Sequence, residues 1–199
     1  MRRLLLICLL FITKQLLAQS YQDSIVNHRE NYKKEFLDSK SSPLKEADLS
    51  YLKFYEPDVQ YRVNCIFKKS ENVNPFNMST SSGQKQEYYK YGVLSFQLQG
   101  KNMELNLYRS LSLMRVPQYK NYLFIPFKDA TNGKDTYGGG RYLALETTDI
   151  QNDSVILDFN KAYNPYCAFS DGYSCPIPPK ENHLTVRIEA GEKIFGKAH

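Results

Sequence analysis

"LSFQLQGKNMELNL", residues 94–107, alternates apolar and polar positions, breaks at Gly100-Lys101, and alternates again on the way back. Leu94, Phe96 and Leu98 share one face of the first run, and Met103, Leu105 and Leu107 share one face of the second. A period of two marks a strand with one buried face, so two such runs around a turn-forming glycine predict an antiparallel hairpin. Upstream, Val59, Tyr61, Val63, Cys65 and Phe67 alternate with Gln60, Arg62 and Asn64, which predicts another half-buried strand. Further short strands are expected at 122–127 (YLFIPF), 141–146 (RYLALE), 154–159 (SVILDF) and 184–189 (LTVRIE). No helical pattern separates them, which argues against parallel crossover units. The fold class is therefore mainly β, an antiparallel barrel or sandwich with one N-terminal amphipathic helix.

That helix is expected over about 20–37, where Ile25, Tyr32 and Phe36, with Val26 and Leu37 beside them, recur at helical spacing behind Ser20 and Asp23. The run SKSSP at 39–43 ends it, because the residue before Pro43 is pushed out of helical geometry. Residues 71–85 are polar and aperiodic, with Pro75 and Gly83, and read as a mobile connecting loop and candidate lid.

The first 18 residues combine Arg2 and Arg3, an apolar run from Leu4 to Ile12, and small and polar residues around Ala18, the layout of a cleavable secretory leader. The apolar run is too short to cross a bilayer, which takes about 20 residues. Residues 19–199 are expected to form one exported domain, periplasmic or extracellular, with no membrane span once the leader is removed. Losing Arg2, Arg3 and Lys14 from the 26 basic residues leaves 23 against 21 acidic ones, with no clustered basic face. Nucleic acid is thereby excluded as a partner.

Two stretches concentrate unusual residues. In TYGGGRYL (136–143), three consecutive glycines imply a backbone that turns sharply or lies close to something. One reading is an anion nest of the Gly138, Gly139 and Gly140 amides with Arg141 alongside, and the other is a bulge or tight crossing. A phosphate loop of the ATPase type is excluded, since Gly139 and Gly140 stand where Lys and Ser/Thr would have to be.

The second stretch, YNPYCAFSDGYSCPIPPKENHL (163–184), carries Cys167 and Cys175 among four prolines. In an oxidising compartment a disulfide between them is one reading; two unpaired thiols, a metal site completed by His183, and a catalytic thiol are the others. Cysteine pairs two to four residues apart are absent, so no metal or cofactor is assigned. Cys65 lies on the apolar side of its strand and His28 on the helix stripe, both as packing residues. Asp129, Asp135, Glu146 and Asp158 are candidates for a carboxylate pair. Tyr137, Tyr142, Tyr163, Tyr166 and Tyr173 crowd around the two special stretches and could stack against a ligand.

The blocks IPFKDATNGKDTYGGGRYL, LDFNKAYNPYCAFSDGYSCPIPPKENHL and AGE (190–192) resemble the bacterial and archaeal family called domain of unknown function 1684. The resemblance spans about 124–192 and carries no established activity, cofactor or partner. It implies that YGGGRYL and YNPYC…CP act as one signature. The family pattern also occurs without an export signal, which lifts a thiol or metal role relative to a staple.

These readings converge on a binding module. A small polar or anionic ligand is expected in a groove lined by Tyr137, Gly138, Gly139, Gly140, Arg141, Tyr163, Asn164 and Cys167. The alternative is a hydrolytic or redox enzyme using Cys167 or Cys175 with His183.

Overall fold

The computed structural model describes the backbone of residues 2–71 and 73–197, with side chains from Gln19 onward within that range. The leader expected over residues 1–18 lies outside the described side chains. Helix α1 (Arg2–Asp38) leads into seven strands: β1 (Arg62–Lys69), β2 (Phe76–Ser79), β3 (Lys85–Leu98), β4 (Lys101–Ser110), β5 (Tyr122–Phe127), β6 (Arg141–Glu146) and β7 (Ser154–Asp158). All pairings are antiparallel, and the sheet runs β6-β5-β4-β3-β1-β7 as a curled half-barrel.

The hairpin around Gly100 is longer than its alternation suggests, because β3 pairs with β4 over most of its length. Gln99 and Gly100 take φ of 53° and 72°, the left-handed pair whose twist matches that of the flanking strands. One side of β3 is shared: Lys85–Tyr88 pair with β2, and Gly92–Ser95 pair with β1. The register shifts between these two halves, at Lys90/Gly92. A Cβ at Gly92 would come within 2.3 Å of the Phe67 ring, so only glycine lets the sheet bend there. Residues 71–85 are thus not merely a connecting loop, since they contain β2, whose four residues carry little alternation to betray it.

Inward-facing Val63, Cys65, Phe67, Leu94, Phe96, Leu98, Leu105, Leu107, Val155 and Leu157 build the main core. The tail segment completes it, with Leu184, Val186, Ile188 and Ala190 buried and Thr185 and Glu189 exposed. That alternation is the one expected of a strand, yet residues 184–189 form none. The segment pairs only locally, through Leu184 N–H to Lys128 O and Ala130 N–H to Val186 O.

Helix α1 docks on the outside. Ile25 and Phe36 are buried, whereas Val26 and Leu37 face water. Tyr21 donates to Asp158, and Tyr32 donates to Glu192 at 2.9 Å. Between β6 and β7 the sheet stays open: Leu143–Leu145 and Ser154–Asp158 line a cleft of about 720 Å³, and at one end Tyr142 exchanges both backbone bonds with Tyr163.

Candidate functional site

Arg141 opens β6 with its side chain directed into the protein, fully buried. One terminal nitrogen donates to Ala190 O at 2.5 Å and Glu192 O at 3.1 Å; the other donates to Asp129 Oδ2 at 2.8 Å and Ile188 O at 2.9 Å. An extended chain presents every second carbonyl to the same side. The fork of Arg141 meets those of residues 188, 190 and 192, and so replaces the neighbouring strand that the tail segment lacks. Gly191, at φ +76°, lets the chain bend so that two carbonyls reach one nitrogen; a Cβ there would strike the Ala162 and Phe159 carbonyls at 2.7 Å. Asp129 Oδ1 in turn accepts from the amides of Thr131 and Ile188 and from the Thr131 hydroxyl.

Glu192 continues this network. Its carboxyl is fully buried and accepts from the Tyr32 hydroxyl at 2.9 Å and the Asn164 amide at 2.8 Å. Burial pushes its pKa up to about 8, against the hydrogen bonds from Asn164 and Tyr32 that pull it down. The Asn164 side chain donates to Lys193 O.

The triple-glycine stretch and the proline-rich hook pack together. Gly140 takes φ +101°, and a Cβ on it would lie 2.7 Å from Pro178 and 2.8 Å from Phe127 O. Its amide turns inward to Tyr137 O at 3.1 Å, which closes a turn. Neither it nor the buried guanidinium faces a cleft, so the glycines and Arg141 form a tight crossing and an internal clamp.

The hook, residues 163–179, has no strand ladder, as its prolines dictate. Cys167 and Cys175 lie at disulfide distance, with Cα atoms 6.3 Å apart. The turn after β2 clamps the same loop: Ser81 N–H donates to Cys175 O, and the Ser82, Ser174 and Thr80 hydroxyls chain together at 2.7–2.8 Å. His183 is exposed, with Nε2 3.0 Å from Pro178 O. Among the described residues, no group of three or more His, Cys, Asp and Glu side chains could hold a metal. The four candidate carboxylates are dispersed. Asp129 pairs with Arg141, Asp135 with Arg187, Asp158 receives Tyr21, and Glu146 is exposed.

Between the hook and the outer ends of β3, β5 and β6 lies a hollow of about 290 Å³. Tyr88, Tyr122, Tyr142, Tyr163, Tyr166 and Tyr173 line it, with Phe124, Gln86, Ser174 and Cys175. Among the described residues, no charged side chain does. The Tyr122 and Tyr163 hydroxyls are 3.1 Å apart, and Tyr142 donates to Pro176 O at 2.5 Å. Burial raises the pKa values of Tyr88, Tyr122, Tyr142 and Tyr163 further, so these phenols are neutral. A second cleft, of about 450 Å³, lies on the far side of the Tyr163–Asn164–Tyr166 strip, beneath α1.

Of the residues singled out from sequence, Tyr163 and Asn164 line both cavities and Cys175 lines the first. Tyr137 packs against the Ala168–Phe169 cluster instead, and Gly138, Gly139, Gly140, Arg141 and Cys167 line neither cavity. Glu192 and Tyr32 were missed as a pair. Tyr32 reads as an ordinary stripe residue, and a single Glu in "AGE" carries no local mark of burial.

No helix among the described residues is long and apolar enough to cross a membrane, which says nothing about strands. The comparison with curated proteins finds no match. The solution NMR structure of an uncharacterized protein from gene locus rrnAC0354 of Haloarcula marismortui is similar to this chain. The two share 32% identity and a TM-score of 0.68, over 88% of this chain and 95% of that one. The family described as "Protein of unknown function (DUF1684)" matches residues 47–193, a span that holds β1 to β7, Arg141, the hook and Glu192. On that match, the chain belongs to the DUF1684 family.

Proposed function

We propose that the protein is an exported binding module whose tyrosine hollow takes a small, neutral, polar ligand such as a mono- or disaccharide. The observation that carries this reading is the lining: six tyrosines around about 290 Å³ and no charge. Phenol rings offer flat apolar faces, and their hydroxyls both donate and accept, which suits a ring bearing several hydroxyls. An anion would lose its hydration there without a cation to replace it. That chemistry favours the neutral polar ligand over the anionic one among those expected.

The paired sulfurs weigh against the thiol-enzyme alternative, because a disulfide offers no thiolate to attack with. They are also compatible with an oxidising compartment. N-terminal sequencing of the protein recovered from its native compartment tests export: a first residue near Gln19 supports it, and an intact Met1 contradicts it.

The ligand test is calorimetric titration of the protein with a panel of neutral sugars and their phosphorylated forms. At least one neutral sugar is expected to bind and to weaken about tenfold in Tyr163→Phe, which deletes one hydroxyl from the lining. A panel in which only phosphorylated sugars bind, or in which Tyr163→Phe changes nothing, overturns the assignment.

A further inference from the structure

The cleft beneath α1 differs from the tyrosine hollow in being charged, and its charges are segregated. At one end His28 and Arg29 of the helix meet Lys161 from the opposite wall, close enough that both cations hold the His28 pKa down in addition to burial. Glu35 lies seven residues further along the same helix stripe, near Tyr163 and Tyr166.

Among the described residues, none of these charged groups forms an ion pair. On the outer face of α1, Glu30 forms an ion pair with Lys33 at 2.7 Å. Glu35 and Lys161 have no ion pair or side-chain hydrogen bond among the described residues. Arg29 donates one terminal nitrogen to Tyr55 O, while its Nε is buried without a partner. Two acids lie near the cationic end. Glu56 acts on Arg29 from a distance, and Asp158 is already engaged by Tyr21 and Asn160.

Seven helical residues correspond to about 10 Å of axis. That is about the length of three extended residues. Between the two ends the lining is aromatic, with Tyr32 packed against Phe54 and Tyr163 at ring-centroid distances of 6.4 and 6.1 Å.

We propose that this cleft binds a zwitterionic peptide of about three residues, with its carboxylate at Lys161 and Arg29, its ammonium at Glu35, and its middle side chain resting on the packed Tyr32 and Tyr163 rings. Charge complementarity at both ends sets length and direction together, since a peptide entering backwards would face like charge at each end. The aromatic middle supplies affinity without selecting one sequence.

Calorimetry of the full chain with alanyl-phenylalanyl-alanine, its N-acetylated form and its C-terminal amide tests the proposal. The free tripeptide is expected to bind at least tenfold tighter than either blocked form. Glu35→Gln should abolish the discrimination against the acetylated peptide only, and Lys161→Gln should reduce the discrimination against the amide only. Both positions are exposed and make no side-chain bond, so the variants keep the fold. Equal binding of free and blocked peptides, binding of none of them, or unchanged discrimination in both variants would overturn it. A sugar result in the tyrosine hollow bears on neither outcome.

Discussion

The clamp around Arg141 and the hook around Cys167–Cys175 are neighbours in space, and both belong to the signature shared with the family. They are held by opposite means. In the clamp, the two terminal nitrogens of Arg141 meet a carboxylate and three carbonyls in the dry interior, with only its Nε left without a partner, so Arg141 holds the tail segment against the barrel. In the hook, the prolines leave the backbone without a continuous ladder, and one pair of sulfurs, a few hydroxyls and isolated backbone bonds to Ser79, Ser81 and Tyr142 fix its shape. The difference separates architecture from recognition: Arg141 and Glu192 of the signature point inward, and the hollow beside the hook is lined by tyrosine.

The hardest blow to this contrast falls on the clamp. Arg141→Met removes one partner of a buried ion pair and strands Asp129 and three carbonyls, at a cost of about 3–5 kcal/mol. Chemical unfolding should find the variant unfolded or close to it; a loss under about 1 kcal/mol would mean that the clamp holds little. The hook should fail more locally. Replacing Cys167 and Cys175 with Ser together is expected to remove about 2.5 kcal/mol, the chain-entropy value for so short a loop. Limited proteolysis should then cut first within residues 168–175, while the strands stay protected from hydrogen exchange. Uniform loss of protection would show the two regions to be one cooperative unit.

A finer test concerns pH. Glu192 has a folded pKa of about 8, above its ordinary 4.5, so the fold favours the neutral form. Its contribution is fully present below about 4.5 and declines as pH rises towards 8, by up to about 1.4 kcal/mol per pH unit. Glu192→Gln keeps acceptors for Tyr32 and Asn164 but cannot ionise. Between pH 5 and 8 its urea midpoint should fall less than that of the native protein; parallel curves would place the proton elsewhere.

Much of the fold was legible because its signal is local. YLFIPF and RYLALE are legible as short apolar runs, and YLFIPF is buried along nearly its whole length. The Gly100 hairpin and Val63, Cys65 and Phe67 of β1 read correctly because one-sided burial writes a period of two into a strand, although Val59 and Tyr61 fall in a 3-10 turn before β1 and Val59 is exposed. LTVRIE shows the limit of that inference. Its period is real and its burial is right, but a neighbouring side chain, not a strand, meets its carbonyls. β2 was invisible for the converse reason: only Met78 of its four residues is buried. At the site, the crowd of tyrosines near the hook was readable from composition along the chain, whereas their convergence with Tyr88 and Tyr122 needed the sheet to curl.

Sequence alone determined the mainly β class, the amphipathic helix and the two unusual stretches, because periodicity, turn chemistry and clustered glycine and proline act over a few residues; that the two stretches pack together came from the structure. Only the tertiary structure decided that Arg141 faces inward, that Glu192 meets Tyr32 across 160 positions, and that the hollow beside the hook is lined by neutral residues. The physical reason is that a charged side chain's partner is chosen by which distant segment excludes water around it. That choice leaves no period in the chain.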